Sequence, residues 1–285
     1  MKRSQLLDLY ERGHRKFSGI DLSGIDLSGT KLLQVDFRGT NLRGADFSRA
    51  FLTKCNFQGA ALNWANLRYA KLSDANLGGA ELSKADCSGA FMVMASLVES
   101  RASGAMFSHA NLRGANLRGA NLCGSNLLHA NLRTACLKRV CLDWANLYQA
   151  RLSRSRLRGA SLNGANLARI LAREADLAGL DLSRANLQEA GLNYANLQGA
   201  NLQGANLQGA RLRRANLQQT NLDGAYCQRA DLRHAILHGT SVNNTRWQGA
   251  RFHEEDPQAI LAADEERNPH WLQQDERAWS LSIGK

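Results

Sequence analysis

Residues 196–210 read NLQGANLQGANLQGA, three identical blocks of five with Leu197, Leu202 and Leu207 at their centres. Stepping outward by five in both directions, an apolar residue recurs at the same place without a slip from Phe17 to Phe252, which makes 48 units. Leu, Phe, Met, Val, Cys or Trp holds nearly every slot; Ala102 and Ala172 are the small exceptions, each expected to mark a bulge, a cavity or a kink. Two residues before each centre stands a second regular position, mostly alanine, as at Ala45, Ala65, Ala75, Ala85, Ala115 and Ala145. Each block therefore directs one large and one small side chain the same way and leaves three polar or glycine positions for solvent. A helix repeats every 3.6 residues and a strand every two, so a period of five excludes both as continuous elements.

The pattern resembles that of the pentapeptide-repeat proteins, over roughly five-sixths of the chain. The resemblance implies an all-β fold, a right-handed quadrilateral parallel β-helix. Four blocks make a square coil of twenty residues, with Leu and Ala stacked inside. Phe17, Phe37 and Phe57 lie twenty apart and are expected to form one column. About 12 coils at a spacing of roughly 4.8 Å give a rod about 58 Å long.

A solenoid exposes the core of its end coils, so short helical caps are expected at both ends. The chain divides accordingly into an N-terminal cap at 1–16, the solenoid at 17–252 and a tail at 253–285. In the first, Ser4–Arg12 reads as a helix with Ser4 as N-cap, Gly13 as stop, and Leu6, Leu7 and Leu9 or Tyr10 facing the first coil. The tail carries Ile260, Leu261, Trp271, Leu272 and Trp279 among Glu, Asp and Gln, and reads as short amphipathic helices interrupted near Pro269. It closes the rod or, as the resemblance also implies, pairs two copies as a homodimer through their C-terminal ends.

Of the 44% hydrophobic residues few are aromatic, only 6% of the chain, so the core consists of many small identical units. No apolar run reaches the roughly 18 residues of a membrane span, and the basic opening lacks the apolar stretch and cleavage site of an export signal. The six cysteines (Cys55, Cys87, Cys123, Cys136, Cys141 and Cys227) form no CxxC pair and read as small apolar fillers in a reducing cytoplasm. No catalytic, cofactor or metal site is expected. His109 and His129 fall in one column, but two imidazoles without a third ligand make no metal centre. Carboxylates such as Asp26, Asp46 and Asp86 occupy the Asn/Asp position beside the central residue, a structural slot in the family.

Charge carries the functional signal. The chain bears +11, with an isoelectric point near 9.8, which favours acidic partners. Sorted by position within a twenty-residue coil, one face holds Lys31, Lys54, Lys71, Arg113, Arg133, Arg151, Arg154, Arg173, Arg211, Arg213, Arg214, Arg233 and Arg251. Only Asp74, Glu174 and Asp231 oppose them, a net of +10, whereas the other faces carry +3, −1 and +1. Phe51, Phe91, Val93 and Met94 add exposed apolar groups to its N-terminal half. Aromatic and arginine side chains supply much of the energy of protein interfaces. The reading is a non-enzymatic scaffold that binds an unidentified protein partner through this face.

The opening LLDLYERGHRKFSGIDLSG, Leu6–Gly24, resembles the start of cyanobacterial members of the family, one of which regulates heterocyst differentiation through protein contacts. The alternative is direct binding of nucleic acid or an anionic surface. A gyrase-directed DNA mimic, like the quinolone-resistance members, needs a negative rod, and this one is positive. The tail after His253 has eight Asp or Glu against Arg267, Arg277 and Lys285, so it could also shield the basic face.

Overall fold

The computed structural model describes residues 1–253. Each five-residue block contributes one extended residue, the one before the central Leu, which pairs in parallel with the residue twenty positions on, as in Asp21↔Asn41, Asn41↔Ala61 and Asn201↔Asn221. The register is the same throughout, from Lys16↔Asp36 to Asp231↔Arg251. One rung is missing among the described residues: Ser161 and Asp181 do not pair, although Cys141↔Ser161 and Asp181↔Asn201 do.

Between rungs the chain turns a corner. In most blocks the N–H of the small residue returns to the carbonyl of the preceding central residue, as from Ala45 to Leu42 at 3.1 Å and from Ala200 to Leu197 at 3.0 Å. The residue before each corner's end takes positive φ, +65° at Gly199 and +65° at Gly164, which glycine adopts without a Cβ penalty. Many blocks place a larger residue there at the same angle, Trp144 and Arg214 among them. The Asn/Asp slot proves to be structural: Asp26, Asp46 and Asp86 accept the N–H two residues on, from Ser28, Ser48 and Ser88. Asparagines in this slot also bond from coil to coil, Asn131 Nδ2 donating to Asn111 Oδ1 at 3.2 Å.

The interior is one continuous cluster. Leu197, Leu202 and Leu207 are fully buried, and Ala195, Ala200 and Ala205 lie beside them. Phe37 stacks on Phe57 at 5.1 Å and on Phe17 at 6.0 Å, with Phe47 edge-on to both Phe37 and Phe57. The aromatic column expected from the twenty-residue spacing is present. Ala102 and Ala172 are also fully buried, and the rungs around them are intact, so neither marks a bulge. At Ala172 the block has exchanged sizes: Ile170 fills the small position that is alanine in the coils on either side, at Ala150 and Ala190. Ala102 has no such exchange, since Ser100 holds the small position of its block.

The helix α1 (Arg3–Glu11) packs Leu6, fully buried, against the core, with Leu7, Leu9 and Tyr10 partly buried around it. Its N-cap is Lys2, whose N–H donates to Gln5 Oε1 at 2.9 Å, so Ser4 lies within the first turn instead of capping it. Gly13, at φ +92°, follows the helix as expected. Tyr10 Oη accepts the Leu33 N–H, and Arg3 pairs with Asp26 at 3.0 Å, which ties α1 to the solenoid. The expected C-terminal cap lies outside the described residues apart from His253. No helix among the described residues is long and apolar enough to cross a membrane.

Candidate binding face

The basic face is built from three columns: the residue before each central side chain and the two after it. Because the register never shifts, residues twenty apart stand above one another. Lys31, Phe51, Lys71 and Phe91 are consecutive rungs of one column. The Lys71 ammonium sits 3.7 Å from the centre of the Phe91 ring, a cation–π contact. Phe51 is 46% exposed, Phe91 40% and Met94 62%. Val93 is not among the exposed groups; it is half-buried. Two further exposed apolar residues lie on this face, Leu171 and Tyr194, beyond those expected from the sequence. Both lie in its C-terminal half, and their positions within the coil were the signal.

The cations fall into two kinds. Arg154 and Arg173 converge on Glu174, at 2.7 and 3.0 Å, and hold its carboxyl below the usual carboxylate range. Arg233 and Arg213 converge on Asp231, at 2.7 and 3.9 Å. Hydrogen bonds from the Arg233 side chain are the main reason the Asp231 carboxyl is shifted down. These four arginines are therefore partly neutralised in place. Arg113, Arg133, Arg151, Arg211 and Arg214 have no carboxylate within ion-pair distance among the described residues. Arg214 instead donates to Tyr194 Oη at 3.3 Å, and Arg173 lies 4.8 Å from the same ring. At Gly191 the column loses its side chain, and Leu171 and Arg211 close over the gap. A shallow groove along the adjoining edge is lined by His129, Arg151, Arg169, Leu171, Glu189 and Arg211.

His109 and His129 stack at 4.8 Å on the adjoining edge, in the column expected for them. The cysteines depart from expectation. Cys123 and Cys141 form a disulfide, and Cys136 is half-buried, so not all six are core fillers. Cys123 follows the central Leu122, and Cys141 precedes Leu142 one coil on; residues so placed are eighteen apart and adjoin diagonally. The same offset joins Arg68 to Asp86 and Asp223 to Ser241. Burial raises the Cys55 thiol to about 12 and pushes Cys87 and Cys227 up as well, so these three are fillers in fact.

The family model for pentapeptide repeats matches residues 20–59, 60–97, 103–139, 141–177, 173–209 and 210–246. Among solved structures the chain is similar to HetL from the cyanobacterium Nostoc sp. strain PCC 7120, a pentapeptide repeat protein involved in heterocyst differentiation regulation. Identity is 28%, over 88% of this chain and 96% of that one, with a TM-score of 0.57. A second Nostoc protein, alr5209, is 28% identical over 38% of this chain and 84% of its own, with a TM-score of 0.26. The plasmid-mediated fluoroquinolone resistance protein QnrB1 is 18% identical over 89% of this chain and 100% of its own, with a TM-score of 0.24. No curated protein matches the chain.

Proposed function

The chain belongs to the pentapeptide-repeat family, and we propose that it is a non-enzymatic interaction scaffold that binds an acidic protein surface along its basic face. On this reading residues 17–252 form a working rod of about twelve coils, capped at its start by the segment 1–16. The observation that carries the proposal is the alternation of exposed apolar groups with unpaired cations down one side of a rigid ladder. Phe51, Phe91, Met94, Leu171 and Tyr194 supply apolar contact area. Arg113, Arg133, Arg151, Arg211 and Arg214 supply charge that is not already satisfied by the rod itself. Interfaces draw their energy from this combination, and charge complementarity speeds encounter. Similarity to HetL, a protein involved in regulation, favours a regulatory role for the contact.

Direct binding of nucleic acid or an anionic surface is the second reading, supported by the same unpaired arginines. Against it, the face offers few aromatic platforms on which bases can stack, and a flat rod does not enter a groove. A gyrase-directed mimic of duplex DNA is a separate reading, disfavoured because the rod is positive. The test is capture from nuclease-treated lysate by the immobilised protein beside a variant with Arg211, Arg213 and Arg214 changed to Glu. The scaffold reading expects an acidic protein held by the native rod and lost by the variant. Capture that nuclease abolishes moves nucleic acid ahead, and equal capture by both rods removes this face from the site.

A further inference from the structure

We propose that Cys123, Cys141 and Asp143 form a redox-gated site for a thiophilic divalent cation of the zinc type, shut as a disulfide and open as a dithiol. The cluster lies half a coil from the basic face, on the opposite side of the rod, so it stands independently of the scaffold reading. Its members come together by register. Asp143 is one coil above Cys123 in the same column, and Cys141 is the diagonal neighbour of Cys123, on the other side of Leu142 from Asp143. The ligand atoms of all three lie within 4.8 Å of one another, the one such group among the described residues, and all three residues are half-buried.

The Cα atoms of Cys123 and Cys141 are 5.7 Å apart. Two thiolates on one tetrahedral zinc, each at about 2.3 Å, stand roughly 3.8 Å apart, a separation reached from the disulfide by side-chain rotation alone. The carboxylate is already oriented. Asp143 Oδ1 accepts the Ser161 hydroxyl at 2.5 Å and the Asn163 N–H at 2.8 Å, which leaves Oδ2 for a cation, and metal-binding carboxylates are characteristically held by such outer bonds. Asp223 shows that the cradle belongs to the fold, since it accepts the same bonds from Ser241 and Asn243 with no cysteine beside it. What is added at Asp143 is the thiol pair. Partial exposure admits a water as fourth ligand and gives the ion a path in.

Opening is a two-electron step. An external dithiol reduces the protein disulfide to two thiols and is itself oxidised to a disulfide. The cation then displaces the two thiol protons, which pass to solvent. Oxidation therefore expels the ion and staples two coils, and reduction removes the staple and admits it.

Cobalt(II) tests this as a zinc probe, because thiolate ligation gives it a near-ultraviolet charge-transfer band. The full chain, reduced with a phosphine and freed of it without air, is expected to bind one equivalent of cobalt with that band, and zinc should displace it. The oxidised protein and the Cys123→Ser variant should give no band. Asp143→Asn should weaken binding at least tenfold, whereas Asp223→Asn, which removes the carboxylate charge from the equivalent cradle, should leave it unchanged and serves as the folding control. A reduced native protein without the band, or cobalt affinity that Asp143→Asn leaves intact, overturns the proposal.

Discussion

At the scale of single residues, the corner position shows how neighbouring coils negotiate space. Gly164 and Gly199 share φ +65°, but a Cβ at Gly164 would come within 2.5 Å of the Trp144 ring, whereas at Gly199 nothing lies within 4 Å. A large residue at one corner thus lies over the glycine of the next coil. Gly199→Ala should cost about 1 kcal/mol for the left-handed backbone alone. Gly164→Ala should cost about 1 kcal/mol more, with a shift in Trp144 fluorescence as the indole is pushed aside. In a Trp144→Ala background the two substitutions should cost the same by denaturant unfolding; a persistent difference would show that the indole is not the cause. The exchange at Ile170 and Ala172 is a second case. The weak central slot was visible in the sequence, but its remedy was not, because the small position two residues earlier was read as a class and not residue by residue.

At the scale of the coil, every backbone bond of the ladder joins residues about twenty apart, so one cross-link between coils closes only a short loop. The Cys123–Cys141 bridge spans 18 residues, and loop-closure entropy gives it about 3 kcal/mol of stabilisation. Reduction, or changing both cysteines to Ser, should lower the denaturant midpoint accordingly. An unchanged midpoint would mean that the bridge does not form or does not constrain the unfolded chain. The solenoid was legible because a five-residue period has a single geometric solution in this family. The bridge was not legible from CxxC spacing, because its cysteines lie 18 residues apart. In a twenty-residue coil the informative separation is eighteen, from the residue after one central side chain to the residue before the next coil's. The N-cap of α1 was misplaced for a related reason: Ser4 has the right chemistry, but Gln5 reaches back to the Lys2 N–H and starts the helix two residues earlier.

At the scale of the whole rod, the basic face was legible from register alone, since counting by twenty fixes which charges share a side. Their pairing was not, because a 2.7 Å contact between Arg233 and Asp231 depends on rotamers that position does not determine. That pairing predicts pH behaviour. The Asp231 carboxyl is held below its ordinary value, so its contribution is present above about pH 4 and is lost as pH falls through the lower folded value. Asp231→Asn should remove this acid-side step from the pH dependence of unfolding. It should also release Arg213 and Arg233, raising the salt concentration needed to elute the protein from heparin. Unaltered elution would show that those arginines already contribute their full charge despite the carboxylate.

The fixed register has a bearing on how such a chain can change in length. Inserting twenty residues adds a coil and leaves every side chain on the wall where it stood. Inserting five turns all that follows through a quarter rotation. Placed near Asn131, between Arg113 and Arg211, such a change would leave the hydrophobic interior continuous and the corners intact. It would nevertheless move Arg151, Arg211 and Arg214 onto a different wall from Phe51, Phe91 and Arg113. A solenoid of this kind can keep its fold and lose its surface in one step, so the spacing between the residues of the proposed binding face constrains the chain as strongly as their identity.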